Sequence, residues 1–97
     1  MSEQRFWLLI DDDDAFLQVL QRSLSRQGIE ARLAHGHQEA KTLLLEGHFQ
    51  RCVLDLNLAG ESGLQLLPEL LDLRPDLEIL VLTGYGSIAT AVEAMRR

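Results

Sequence analysis

Phe6-Trp7-Leu8-Leu9-Ile10-Asp11-Asp12-Asp13-Asp14 is a short apolar run followed without a break by four acids. An apolar stretch this short, ended by charge, predicts a strand buried inside a sheet. A run of acids is ordinarily a solvated loop or tail. Here it comes directly off a buried strand, so these carboxylates are expected at a strand end.

Outward from that stretch the chain alternates between two periods. From Asp14, Phe16, Leu17, Leu20 and Leu24 recur at helical spacing, and Gly28 supplies a stop. Asp13 or Asp14 is expected to cap this helix. Ile29, Ala31 and Leu33 alternate with Glu30, Arg32 and Ala34, which predicts a second strand with a more exposed face. Residues 39–46 carry Ala40, Leu43 and Leu44 on one side and end at Gly47, a second helix. Cys52-Val53-Leu54 is a third strand, closed by Asp55, and a loop with Gly60 and Gly63 follows. Leu64, Leu67, Leu70 and Leu71 mark a third helix whose leucines are core. Pro68 falls in its first turns, where a missing N–H costs little, and Arg74-Pro75-Asp76 closes it. Ile79-Leu80-Val81-Leu82 is a fourth strand ended by Thr83. After the turn Gly84-Tyr85-Gly86, Ser87 is a plausible cap for a fourth helix carrying Ile88, Ala91, Val92 and Met95.

Such alternation predicts an α/β fold with a parallel sheet and right-handed crossovers. Ligands in these folds bind at the carboxyl ends of the strands. The 97 residues make one domain, residues 1–97, and 46% hydrophobic content supports a core without staples. The single cysteine excludes an internal disulfide or a cysteine-based zinc site, and Cys52 is expected as a small core residue. No stretch is long and apolar enough for a signal peptide or membrane span, so a cytoplasmic protein with no membrane partner is expected. The formal charge of −6 argues against direct nucleic-acid binding by this segment.

The strand ends carry the chemistry. Asp11 and Asp12 end the first strand, Asp55 the third, and Thr83 with Gly84 the fourth. A lone Asp after a strand is usually a turn former or a cap. Suitable groups at several strand ends together are a different matter. Three converging carboxylates must take up protons or be compensated by a cation, and Mg²⁺ suits oxygen ligands. Asp55 could then act as a nucleophile toward a phosphoryl group, with Thr83 and the Gly84 N–H donating to its oxygens.

These residues in this order resemble the response-regulator receiver domains of two-component systems. The matching segments are Leu8-Leu9-Ile10-Asp11-Asp12-Asp13, Val53-Leu54-Asp55-Leu56-Asn57-Leu58, Gly60 with Gly63-Leu64, and Leu82-Thr83-Gly84. Asp11-Asp12-Asp13 with Phe16-Leu17, and residues 82–92, are similar to the redox-responsive regulators of the RegA/PrrA type. The resemblance implies a flavodoxin-like (CheY-like) three-layer sandwich with strand order 2-1-3-4. It implies Asp55 as phosphoacceptor and Mg²⁺ held by Asp11, Asp12, Asp55 and the Asn57 carbonyl. Thr83, Gly84 and Asn57 would meet the phosphoryl group, with Asn57 and Tyr85 tuning its lifetime. The donor would be a sensor histidine kinase or a small phosphodonor, and DNA would be reached only through a missing output domain.

The sequence also departs from the family. Ala59 stands where many receivers have Pro. No fifth strand with its Lys and no fifth helix follow Arg97, and Lys41, the only lysine, lies on the second helix. The expectation is a receiver truncated after the fourth helix, with an exposed fourth strand and helix open to homodimerisation or exchange. A second reading is therefore a phosphorylation-independent interaction module with the same fold. A third, a nucleotide- or phosphate-handling enzyme, fits poorly: residues 11–14 would repel a pyrophosphate, and Asn57 stands where a phosphatase needs a second acid. His35-Gly36-His37 reads as a solvated loop, Trp7 as strand-face packing and Tyr85 as exposed.

Overall fold

The computed structural model describes residues 5–58, 61–82 and 88–90. In chain order the elements are β1 (Arg5–Ile10), α1 (Asp14–Ser25), β2 (Ile29–Ala34), α2 (His37–Glu46), β3 (Arg51–Asp55), the short strands β4 (Asn57–Leu58) and β5 (Glu61–Ser62), α3 (Gly63–Leu73), β6 (Glu78–Leu82) and β7 (Ile88–Thr90). The main sheet runs β2-β1-β3-β6-β7. Its first four strands are parallel, which is the expected order 2-1-3-4. Neither a fifth parallel strand nor a fifth helix occurs among the described residues.

β1 lies between β2 and β3, and Leu8, Leu9 and Ile10 are all buried. A strand covered on both faces reads as a continuous apolar run, which is why residues 6–10 do not alternate. Along each central strand successive side chains go to opposite faces. Leu8, Ile10, Cys52, Leu54, Ile79 and Val81 pack under α2 and α3. Leu9 and Val53 pack with Leu17 and Leu24 of α1. Cys52 is fully buried, and burial pushes its thiol pKa up, so it behaves as the small core residue expected.

The helix ends follow local chemistry. Asp13 caps α1, its carboxylate accepting the Phe16 N–H at 3.1 Å. Gly28 takes φ +80°, a left-handed conformation suited to the turn between α1 and β2. α2 starts at His37, two residues before the helical period becomes visible, and its cap is Gly36. At its other end Arg74 donates to the carbonyls of Leu44 and Gly47, at 3.2 and 3.3 Å. In α3, Pro68 sits beyond the first turn, so the Leu64 carbonyl lacks the N–H it would otherwise accept. Leu66, Leu67 and Leu70 are core, but Leu64 is exposed, and so is Phe16 of α1. Both begin their helices, at the rim, where the apolar stripe outruns the sheet below it. No helix among the described residues is long and apolar enough to cross a membrane.

The chain after Leu82 departs from expectation. Residues 88–90 do not open a helix: they form β7, antiparallel to β6, with Leu80, Val81 and Leu82 facing Thr90, Ala89 and Ile88. The rest of the expected fourth helix, with Ser87, Ala91, Val92 and Met95, lies outside the described residues, as does Tyr85. The edge of β6 offered for dimerisation or exchange is thus paired within the chain along residues 80–82. A bare parallel edge presents backbone donors and acceptors, and pairing with residues 88–90 satisfies them along residues 80–82.

Candidate functional site

Ile10 pairs with Leu54, so Asp11 and Asp55 reach the carboxyl rim on neighbouring strands. The Asp11 N–H donates to the Ala34 carbonyl at 3.1 Å, which carries the β1–β2 ladder one residue further. The Asp11 carboxylate then accepts the Asp13 N–H at 3.0 Å, and this turn sends the chain into α1. Of the four acids, Asp11 is buried while Asp12, Asp13 and Asp14 are exposed. Asp55, the last residue of β3, is half-buried. One carboxylate oxygen from each of Asp11, Asp12 and Asp55 lies within 4.8 Å of the other two.

The electrostatics follow from that crowding. Burial pushes the Asp11 pKa up to about 6. The Asp13 N–H pulls it the other way, while the charge of Asp55 and hydrogen bonds with Asp12 and Asp55 raise it further. A buried carboxyl that holds its proton to higher pH than usual, beside two other acids, marks a place short of positive charge. Hard oxygen donors converging there fit a hard divalent cation such as Mg²⁺.

Of the residues singled out in the sequence, the fold brings Asp11, Asp12 and Asp55 together. Asn57 lies two residues past Asp55 in β4, where it pairs with Ser62. Asp55 is in register with Leu82, and the Leu56 N–H donates to the Leu82 carbonyl at 3.2 Å, so β3 and β6 leave the sheet side by side. Thr83 and Gly84, which follow Leu82, lie outside the described residues, as do Ala59 and Gly60.

Two residues have more to do than the sequence shows. Gly63 opens α3 pressed onto the backbone that carries Asp55. A Cβ there would lie 2.5 Å from the Asp55 carbonyl oxygen and 2.6 Å from Leu56 Cα. Its N–H donates to the Leu56 carbonyl at 3.0 Å. Only glycine permits that approach. The signal available in sequence was a glycine at the start of a helical period, which is too common to be informative alone. His35, read as solvated, follows β2 at the same rim and is held between the carboxylates of Asp14 and Glu39.

A parallel α/β sheet with three acids on its carboxyl rim defines the class of protein. The response regulator receiver domain family matches residues 7–97, and the chain belongs to it. It is a family of signalling domains of two-component systems rather than of conventional enzymes. Among particular relatives, the chain is 38% identical over 96 residues to the photosynthetic apparatus regulatory protein RegA of Rhodobacter capsulatus, covering 99% of this chain and 52% of RegA. It is 37% identical over 89 residues to the acid tolerance regulatory protein ActR of Rhizobium meliloti, covering 92% of this chain and 46% of ActR. A crystal structure of a response regulator from Burkholderia pseudomallei, with a phosphorylated aspartic acid, calcium ion and citrate, superposes with a TM-score of 0.84. It is 46% identical, and the match covers 96% of this chain and 55% of that one. The chain thus spans about half the length of these relatives.

Proposed function

We propose that this domain accepts a phosphoryl group on Asp55 in a Mg²⁺-dependent reaction and serves as the input switch of a transcriptional regulator. One observation carries the reading: carboxylate oxygens of Asp11, Asp12 and Asp55 meet within 4.8 Å at the ends of β1 and β3. The phosphorylated aspartic acid and calcium ion described for the Burkholderia pseudomallei relative support it.

Asp11, Asp12 and Asp55, with the Asn57 carbonyl, would hold the ion. When bound, Mg²⁺ supplies positive charge that offsets the carboxylates and the incoming phosphoryl oxygens. The residues do the rest. An ionised Asp55 oxygen attacks phosphorus, and the bond from phosphorus to the donor breaks. The donor is a phosphohistidine on a sensor histidine kinase, or a small acyl phosphate, and its leaving atom departs with the bonding electron pair. Thr83 through its hydroxyl and Gly84 through its N–H donate to the phosphoryl oxygens. Below about pH 6 Asp11 would have to give up its proton to hold a cation, which would couple metal binding to pH. RegA and ActR are regulatory proteins about twice this length, which supports an output domain as the route to DNA.

The test is to incubate the protein with Mg²⁺ and acetyl phosphate and weigh it intact. A gain of one phosphoryl group is expected, absent after Asp55→Ala and strongly reduced after Asp12→Ala. No gain in the native chain, or a gain that survives Asp55→Ala, overturns the proposal.

A further inference from the structure

His35 stands where β2 meets the rim, one residue past the Ala34 carbonyl that receives the Asp11 N–H. Its Nε2 lies 2.7 Å from Asp14 Oδ1, and its Nδ1 lies 3.0 Å from Glu39 Oε1. Glu39 Oε1 also accepts the His35 backbone N–H, at 2.9 Å. Both side-chain partners are carboxylates, which accept hydrogen bonds and do not donate when ionised. A neutral imidazole has one N–H and one bare lone pair. In either tautomer, one of these contacts would set that lone pair against a carboxylate oxygen. Only the imidazolium donates at both.

The partners are also placed to matter. Asp14 is the first residue of α1, directly after the loop that carries Asp11 and Asp12, and Glu39 lies in the first turn of α2. Among the described residues, Asp14 from α1 and Glu39 from α2 are the charged groups that face the ring. β2, which leads into it, ends in apolar Leu33-Ala34.

We propose that doubly protonated His35 is a positioning residue, tying the first turn of α1 to that of α2, steadying the acidic loop at residues 11–14, and giving up one end of that tie when it loses its second ring proton.

The hydrogen bonds to Asp14 and then Glu39 hold the proton to higher pH than a free histidine would. The sign follows. The tie is complete below the ordinary histidine value of about 6.5 and is lost as pH rises through the higher folded value. Asp11 titrates at about 6, partly inside that window, so the ring titration and the His35 variants, rather than pH alone, assign the effect.

The experiment is amide hydrogen exchange in the metal-free protein, corrected for intrinsic rates, from about pH 6.5 upward. The His35 ring titration is followed in parallel by NMR. In the native chain, protection at residues 11–14 and 35–39 should fall roughly two- to fivefold as the ring deprotonates, the range for partly exposed ion pairs. His35→Ala should show the low protection at every pH. His35→Arg, which keeps its charge and can donate to both carboxylates, should keep the protection and lose its pH dependence. Protection that stays flat while the native ring titrates overturns the proposal, as does His35→Ala matching the native chain below the titration.

Discussion

The two faces of the sheet use the same strands and are covered differently. Under α2 and α3, Leu8, Ile10, Leu54, Ile79 and Val81 are sealed against Leu44, Leu66, Leu67 and Leu70. On the α1 face, Leu9 and Val53 are buried, but Trp7, Leu80 and Leu82 are only partly so. α1 packs over β2 and β1 rather than over β6. At the lower margin of that face the Arg51 guanidinium lies 4.9 Å from the Trp7 ring centre and pairs with Glu78, a charged cover in place of an apolar one. Because strand residues alternate between faces, Asp11 and Asp55 share the parity of Leu9 and Val53. The acid pocket therefore opens on the less covered face. Among the described residues, the sealed face carries most of the core, and the three acids lie at the rim of the other.

The largest effect expected from that contrast comes from a truncation in the core. Leu54→Ala, on the sealed face, should cost about 3–5 kcal/mol in urea unfolding, enough to leave little folded protein. A loss below about 1.5 kcal/mol would mean that the α2/α3 face is not the better packed one.

Next in size is the pocket. The folded pKa of Asp11, about 6, exceeds the ordinary 3.8. Its contribution to stability is therefore complete below about pH 4 and is lost as pH rises to about 6, by at most ~3 kcal/mol. Chemical denaturation across that range should show the fall in metal-free protein. Asp11→Asn should abolish it, and Mg²⁺ near neutral pH should restore stability. A native chain whose stability is flat from about pH 4 to 6 would contradict the crowding argument.

Gly63→Ala joins the two regions, since α3 belongs to the sealed face and its first residue presses on Asp55. It should cost about 1–3 kcal/mol. It should also slow phosphorylation by acetyl phosphate more than a stability loss of that size explains, because the Asp55 backbone must move. The smallest effect should come from Leu80→Ala, on the open face, at about 1 kcal/mol or less in the same urea assay.

Much of this molecule was legible in its residues. The apolar runs that end at Asp11, Asp55 and Leu82 marked three parallel strands, and alternation marked β2. Gly28 and Gly47 marked helix ends, and the acids at residues 11, 12 and 55 marked the pocket. Other features were not. Phe49 and Leu77 are buried in the α2/α3 core although neither lies in a helix or strand of the expected pattern. Phe16 and Leu64 are exposed despite fitting a helical stripe. His35 found its carboxylates, one of them twenty-one residues away in sequence, only through the packing of α1 beside β2.

The division has a physical cause. Backbone period, capping and the position of a side chain at a strand end depend on neighbours within a few residues, so the order of residues determines them directly. Which face a helix covers, how closely Gly63 approaches Asp55, whether residues 88–90 pair with an open edge, and whether Asp11 keeps its proton depend on groups distant in sequence. Those outcomes arise from burial and from backbone donors and acceptors that need partners, and only the assembled fold supplies either. The acids at residues 11, 12 and 55 belong to both accounts: sequence set them at strand ends, and tertiary structure brought them within 4.8 Å of one another and buried one of them.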